Sequence, residues 1–200
     1  MELKDKIQQQ SLQLFLTQGV KSINMDDVAS HLGVSKKTLY KFVNNKSELV
    51  DLAFLCHRQN IENAILHSSQ QNLNAIDEVF LIDEGICFLM KDRHPSVVWD
   101  LKKYYPSAWE IMISIKEDVF KKVLINNISR GIEQKLFRED VNADLIVKLM
   151  LSRIDVLVDE RVFPSKEYNF TDLLAQNRSY HLRGIVSAKG LKYLEEKLKS

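Results

Sequence analysis

Between Ser35 and Lys46 the chain carries Lys36, Lys37, Lys41 and Lys46, a phenol at Tyr40 and no carboxylate. The whole chain has a net charge of only +1, so this excess of cations is local, and a local excess marks a place to hold an anion. Ammonium groups and a phenol donate hydrogen bonds to phosphate oxygens and to acceptors on base edges. At about 100° per residue, Leu39, Phe42 and Val43 share one side with Val34, while Lys36, Lys37, Tyr40 and Lys41 share the other. A short helix over 36–43 with an apolar back and a basic, aromatic front suits the major groove of duplex DNA.

The neighbouring residues supply the boundaries that hold such a helix in place. Asn24 caps a preceding helix, and Asp27 three residues later completes a variant of the capping box. Val28, Ala29 and Leu32 give that helix a small apolar face. Gly33 tolerates the positive φ at which it must stop, and Ser35 caps the next. A first helix, 3–17, with Ile7, Leu14 and Phe15 inward and Gly19 beyond its end, braces both, since helices this short do not persist alone in water. Asn45 and Glu48 form another capping pattern, starting a fourth helix over 46–67. Lys46 then stands at a helix N-terminus, where backbone donors already favour a phosphate.

The order Ile7, Ser11, Leu14-Phe15, Gly19, Asp27-Val28-Ala29, Leu32-Gly33-Val34-Ser35, Thr38-Leu39-Tyr40, Phe42, Lys46, Glu48 and Leu49 is a pattern with a known likeness. Residues 7–55 resemble the N-terminal DNA-binding domain of a TetR-family transcriptional regulator. The resemblance implies DNA contacts from Asn24, Ser35, Lys36, Lys37, Thr38, Tyr40, Lys41 and Lys46. The chain departs from the family pattern at Lys37, where glycine is frequent, and at Phe42-Val43-Asn44, where tyrosine, phenylalanine and proline are common. Phe42 lacks a hydroxyl for a phosphate, and Lys37 adds a long donor at the tip of the reading helix. The resemblance further implies a C-terminal helical domain that forms a homodimer and encloses a ligand cavity. GIEQKLFRED, residues 131–140, looks like the turn before the penultimate helix of such proteins.

Only nine of the 200 residues are glycine or proline, and no strand alternation appears, so the fold expected is all-α with about nine helices. It divides into a three-helix helix-turn-helix domain, 1–46, and a helical ligand-binding and dimerisation domain, 47–200, with helix 47–67 as the link. The polar run 68–74 is the expected break. Beyond it come a helix from Ala75 to near Asp92, an aromatic segment between Pro95 and Pro106, and a long helix over 107–130 closed by Gly131. Helices over 140–161 and 170–187 follow, then a charged amphipathic tail, 189–200. The dimer interface is placed on 142–161 and 170–187, because one reading helix contacts too few base pairs to compete with bulk DNA. A ligand pocket is expected among Trp99, Tyr104, Tyr105 and Trp109, with Phe80, Phe88 and Met112 as further walls. Asp83 and Glu84 read as a solvated face, with a role against a cationic ligand as the alternative.

Enzymatic constellations are thin. The five histidines are scattered, with no His-x-x-x-His pair, Cys-x-x-Cys, glycine-rich phosphate loop or G-x-S-x-G elbow, so no metal, cofactor or catalytic site is expected. Cys56 and Cys87 read as reduced, partly buried thiols. No run of 18 apolar residues and no signal-peptide pattern is present, so a cytoplasmic protein without a membrane span is expected. The function that follows is a dimeric, sequence-specific regulator, a repressor released from a palindromic operator by a small-molecule effector. The competing reading is an all-helical small-molecule-binding or protein-interaction protein whose helix-turn-helix makes protein contacts. A protein interface has no need of a reading helix fronted by lysines without acids.

Overall fold

The computed structural model describes residues 2–69, 71–90 and 93–199, so Gln70 of the expected break, the expected helix end near Asp92 and the last tail residue, Ser200, lie outside it. Its helices are α1 (Leu3–Gln18), α2 (Met25–Leu32), α3 (Lys36–Leu39), α4 (Lys46–Ser69), α5 (Ala75–Met90), α6 (Val97–Tyr104), α7 (Pro106–Ser114), α8 (Lys121–Glu133), α9 (Ala143–Leu157), α10 (Phe170–Ile185) and α11 (Ala188–Lys197). A π-helical segment, Ile115–Phe120, joins α7 to α8. Among the described residues, strand-like pairing is limited to one bridge between Phe137 and Val186.

The chain forms two compact units, Met1–Ala64 with Lys91–Ile115, and Ile65–Met90 with Lys116–Ser200. In the first unit, Ile7 and Phe15 of α1, Val28 and Leu32 of α2, Leu39 of α3 and Phe54 of α4 are buried in one cluster with Val97, Leu101 and Ala108. Short helices bury too little apolar surface to stand alone, so α6 and α7 complete a core that extends past residue 46. Long-range hydrogen bonds help hold them there: His94 N–H donates to Leu16 O at 2.7 Å, Lys21 N–H donates to Asp100 Oδ2 at 2.9 Å, and Arg58 Nη1 donates to Ser114 Oγ at 2.6 Å. The stretch expected as an aromatic segment between prolines is thus largely a helix, α6, with Pro106 starting α7.

In the second unit, Ile76, Val79, Phe137, Leu182, Ile185 and Leu194 form one cluster, and Leu124, Ile128, Val147 and Leu151 another. The turn after α8 organises it. Lys135 takes a positive φ of 60°, Leu136 O accepts from Ser187 N–H at 2.9 Å, and Arg138 N–H donates to Ile185 O at 2.9 Å. Gly131 does not close its helix as expected, since α8 runs on to Glu133. The glycine is there for space, because a Cβ at this position would collide with the Phe137 ring. Cys56 and Cys87 are free and half-buried. His57 and His181 are buried, and desolvation pushes both down to about 4, so they are neutral core side chains at neutral pH.

Candidate nucleic-acid interface

Capping chemistry builds this surface as the sequence predicts. Asn24 Oδ1 accepts from Asp26 N–H at 2.8 Å and Asp27 N–H at 3.0 Å, and Asp27 Oδ2 accepts from Asn24 N–H at 2.7 Å. Gly33 turns the chain with a φ of 69°. Ser35 Oγ accepts from Thr38 N–H at 3.0 Å, and the two hydroxyls lie 2.8 Å apart. The helix that follows is shorter than the expected 36–43. Only Lys36–Leu39 is α-helical, after which Lys41 N–H donates to Thr38 O and Phe42 N–H to Leu39 O. Such three-residue bonds tighten the end of a helix and satisfy its last carbonyls. Residues 40–45 form the turn that leads into the next helix at Lys46. Asn45 Oδ1 caps it by accepting from Glu48 N–H at 2.9 Å, while Glu48 Oε2 reaches Asn44 N–H at 2.6 Å rather than closing a box on Asn45.

The four lysines separate into two kinds. Lys37 and Lys41 are exposed beside Tyr40, which is 43% exposed, while Leu39 and Val43 behind them are buried. Lys36 is also exposed, but its Nζ donates to Asp26 Oδ2 at 2.8 Å, and that hydrogen bond raises its pKa. Lys46 turns inward. Its Nζ donates to Lys21 O at 3.2 Å and lies 5.5 Å from the centre of the Tyr105 ring, and desolvation lowers its pKa. Asp26 carries no sequence signal for this pairing beyond its place in the first turn of α2, ten residues away along the chain.

The residues expected to wall a ligand pocket fall in both units. Trp99, Tyr104, Tyr105, Trp109 and Met112 belong to the first unit, and Phe80 and Phe88 to the second. Tyr105, Trp109 and Met112 pack against the first unit's core. Trp99 is 51% exposed and meets Tyr104 edge to face at 5.4 Å. Lys103 Nζ lies 4.4 Å from the Trp99 ring centre, and Lys21 Nζ donates to Tyr104 Oη at 3.0 Å. Phe88 is 79% exposed. Phe80 instead carries the Arg178 guanidinium at 4.1 Å. The second unit does hold a small cavity of about 30 Å³, lined by Asp83 and Asn177 with Ile82, Phe120, Met150 and Leu174 among its apolar walls. Asp83 is buried, not on a solvated face, whereas Glu84 is exposed. Helical periodicity located α5, but Asp83 reads as polar surface until α10 is seen to cover it.

Among the described residues, no group of three or more His, Cys, Asp or Glu is placed to hold a metal ion. A family model described as bacterial regulatory proteins, tetR family, matches residues 7–53. The chain is 30% identical over 155 residues to the uncharacterized HTH-type transcriptional regulator YvaF of Bacillus subtilis (strain 168), covering 75% of this chain and 77% of that one. Among solved structures, a putative transcriptional regulator from Saccharomonospora viridis in complex with choline superposes with a TM-score of 0.73 at 20% identity, over 92% of this chain and 97% of that one. The fatty acid degradation regulator FadR from Bacillus halodurans gives 0.68 at 15% identity, over 91% and 95%. Likenesses at these identities show a shared fold.

Proposed function

The chain belongs to the TetR family of DNA-binding transcriptional regulators, and from that premise we propose that it is a homodimeric repressor, released from a palindromic operator by a small molecule. The observation that carries this reading is the division of α3 and its following turn: Leu39 and Val43 buried, Lys37, Tyr40 and Lys41 exposed. Four α-helical residues reach a groove only by their first turn, so Lys37, Tyr40 and Lys41 meet the phosphates that wall it and Lys37, at the tip, also reaches base edges. Ser35 and Thr38 offer hydroxyls at the same end, and Asn24 offers its amide at the start of α2. Lys46 joins when its ammonium swings from the Lys21 carbonyl to a phosphate at the start of α4.

The dimer forms through α9 and α10, the core of the stretches 142–161 and 170–187. Leu145, Leu149 and Val156 recur along one face of α9 and are all exposed, and Tyr180 on α10 is 74% exposed. Apolar side chains aligned in this way are the mark of a surface that another surface covers. The effector enters the second unit, where the cavity lies, and no effector is needed at the exposed Trp99. Among the described residues no helix is long and apolar enough to cross a membrane, and the working place is the cytoplasm, where the operator is.

A gel-shift titration against the DNA upstream of the gene, at several salt concentrations, tests the DNA contacts. If Lys37 and Lys41 alone neutralise phosphates, four per dimer, log K falls against log salt with a slope of about −4; with Lys36 and Lys46 engaged it steepens to about −7. A slope near zero removes the lysines from the interface. Asp26→Asn is expected to tighten binding several-fold and steepen the slope, because it frees the Lys36 ammonium and removes a negative charge beside the phosphates. Unchanged affinity in that variant would mean that Lys36 points away from DNA.

A further inference from the structure

A buried carboxylate lines a cavity whose other walls, Asn177 apart, are apolar. Asp83 of α5 is 9% exposed, and its Oδ2 accepts from Arg178 Nη1 at 3.2 Å. That is the one hydrogen bond made to this carboxylate among the described residues, and Oδ1, which makes none, keeps a small accessible surface. Arg178 is a divided partner, since its guanidinium also lies over the Phe80 ring. One salt bridge does not replace the water that a carboxylate loses on burial, and desolvation, outweighing Arg178, raises Asp83 to about 6. Beside it, Asn177 brings an amide to the same cavity, and Ile82, Phe120, Met150 and Leu174 face them.

We propose that this cavity takes a protonated aliphatic amine, its ammonium donating to Asp83 Oδ1 and its apolar body lying among Ile82, Phe120, Met150 and Leu174. The inference rests on the reading of the chain as an effector-released regulator and supplies the chemical class of the effector. An ammonium donates to the oxygen that Arg178 does not occupy and replaces water there with a charge-assisted hydrogen bond. A carboxylate ligand would meet Asp83 as a like charge, and a plain hydrocarbon would leave Oδ1 unmet. The cavity is now about 30 Å³, room for one water and far below the several hundred Å³ of ligand sites. Entry of the amine therefore parts the helices around it, and a ligand that binds only the parted form shifts the protein toward it. Phe120 ends the π-helical segment, a local break in helical register of the kind that collects at functional sites.

The test compares n-hexylammonium, 1-hexanol and hexanoate by thermal shift and calorimetry on the full chain. Hexylammonium is expected to raise the melting temperature and the other two to leave it unchanged. Asp83→Asn should weaken hexylammonium roughly tenfold or more, and Arg178→Leu, which removes the competing cation, should strengthen it several-fold. Hexanoate stabilising more than hexylammonium, no shift with hexylammonium, or equal affinity in Asp83→Asn overturns the proposal. If Asp83→Asn does not fold, unchanged or weaker affinity in Arg178→Leu overturns it as well. A gel shift separates this from the wider reading. Hexylammonium that binds through Asp83 yet leaves DNA binding intact upholds the site and sinks release by effector. Release by hexanoate, with no binding of hexylammonium, sinks the amine and keeps the regulator.

Discussion

Replacing Lys37 and Lys41 together with alanine is expected to weaken operator binding about a hundredfold at physiological salt and to flatten the salt dependence by about four units of slope. Both ammonium groups are exposed on the front of α3 and its turn, backed by buried Leu39 and Val43. Their removal takes four cations from the dimer without opening the core. Surface charge pairs contribute about 0.2–1 kcal/mol each in water, and four of them at about 0.7 kcal/mol give the hundredfold. The melting temperature should stay where it is, because exposed side chains away from caps and core change stability little. The single variant Lys36→Ala should cost less than either of the others, since Asp26 already holds that ammonium at 2.8 Å in the free protein. Gel shifts across salt concentrations, paired with thermal melts, check both halves. An unchanged slope with an intact fold would place the DNA elsewhere on the molecule.

The parts of this surface legible in the sequence are those governed by local chemistry. An Asn, Asp or Ser a few residues from a helix start has few partners other than the backbone beside it, so Asn24, Gly33 and Ser35 could be assigned from spacing, and the structure puts them there. Apolar periodicity likewise told which side of α3 faces inward. It could not tell what covers that side. Val97, Leu101 and Ala108 close the core around Leu39 from a stretch some sixty residues later, and nothing in their own spacing names the partner. The same limit explains the aromatic residues. Trp99 and Tyr104 have the composition of a ligand wall, but composition does not say whether a ring meets a cavity or a lysine at the surface, and here it meets Lys103 and Lys21. Gly131 shows the converse case. A glycine near a helix end reads as a stop signal, while its actual neighbour is a phenylalanine ring six residues on.

Gly190→Ala should be the most damaging of the conservative substitutions in the second unit, lowering stability by about 2–4 kcal/mol and the melting temperature by roughly 5–15 °C. Alanine normally favours a helix over glycine by about 1 kcal/mol, so the expected sign is opposite to propensity and comes entirely from space. A Cβ at Gly190 would run into the carbonyl of Leu136. That carbonyl cannot step aside, because it accepts from Ser187 N–H at 2.9 Å, and Ser187 Oγ both donates to Lys135 O at 2.7 Å and accepts from Gly190 N–H at 3.1 Å. Relief requires α11 to lift, which exposes Leu194 from its cluster with Phe137 and Leu182. Gly184, also helical, has open space where its Cβ would go, so Gly184→Ala should instead stabilise by about 0.5–1 kcal/mol. Thermal melts of the two variants under one buffer decide the matter. Equal shifts in the two would mean that α11 is not seated on the Leu136 carbonyl, and the turn 131–137 would lose its place as the anchor of the second unit.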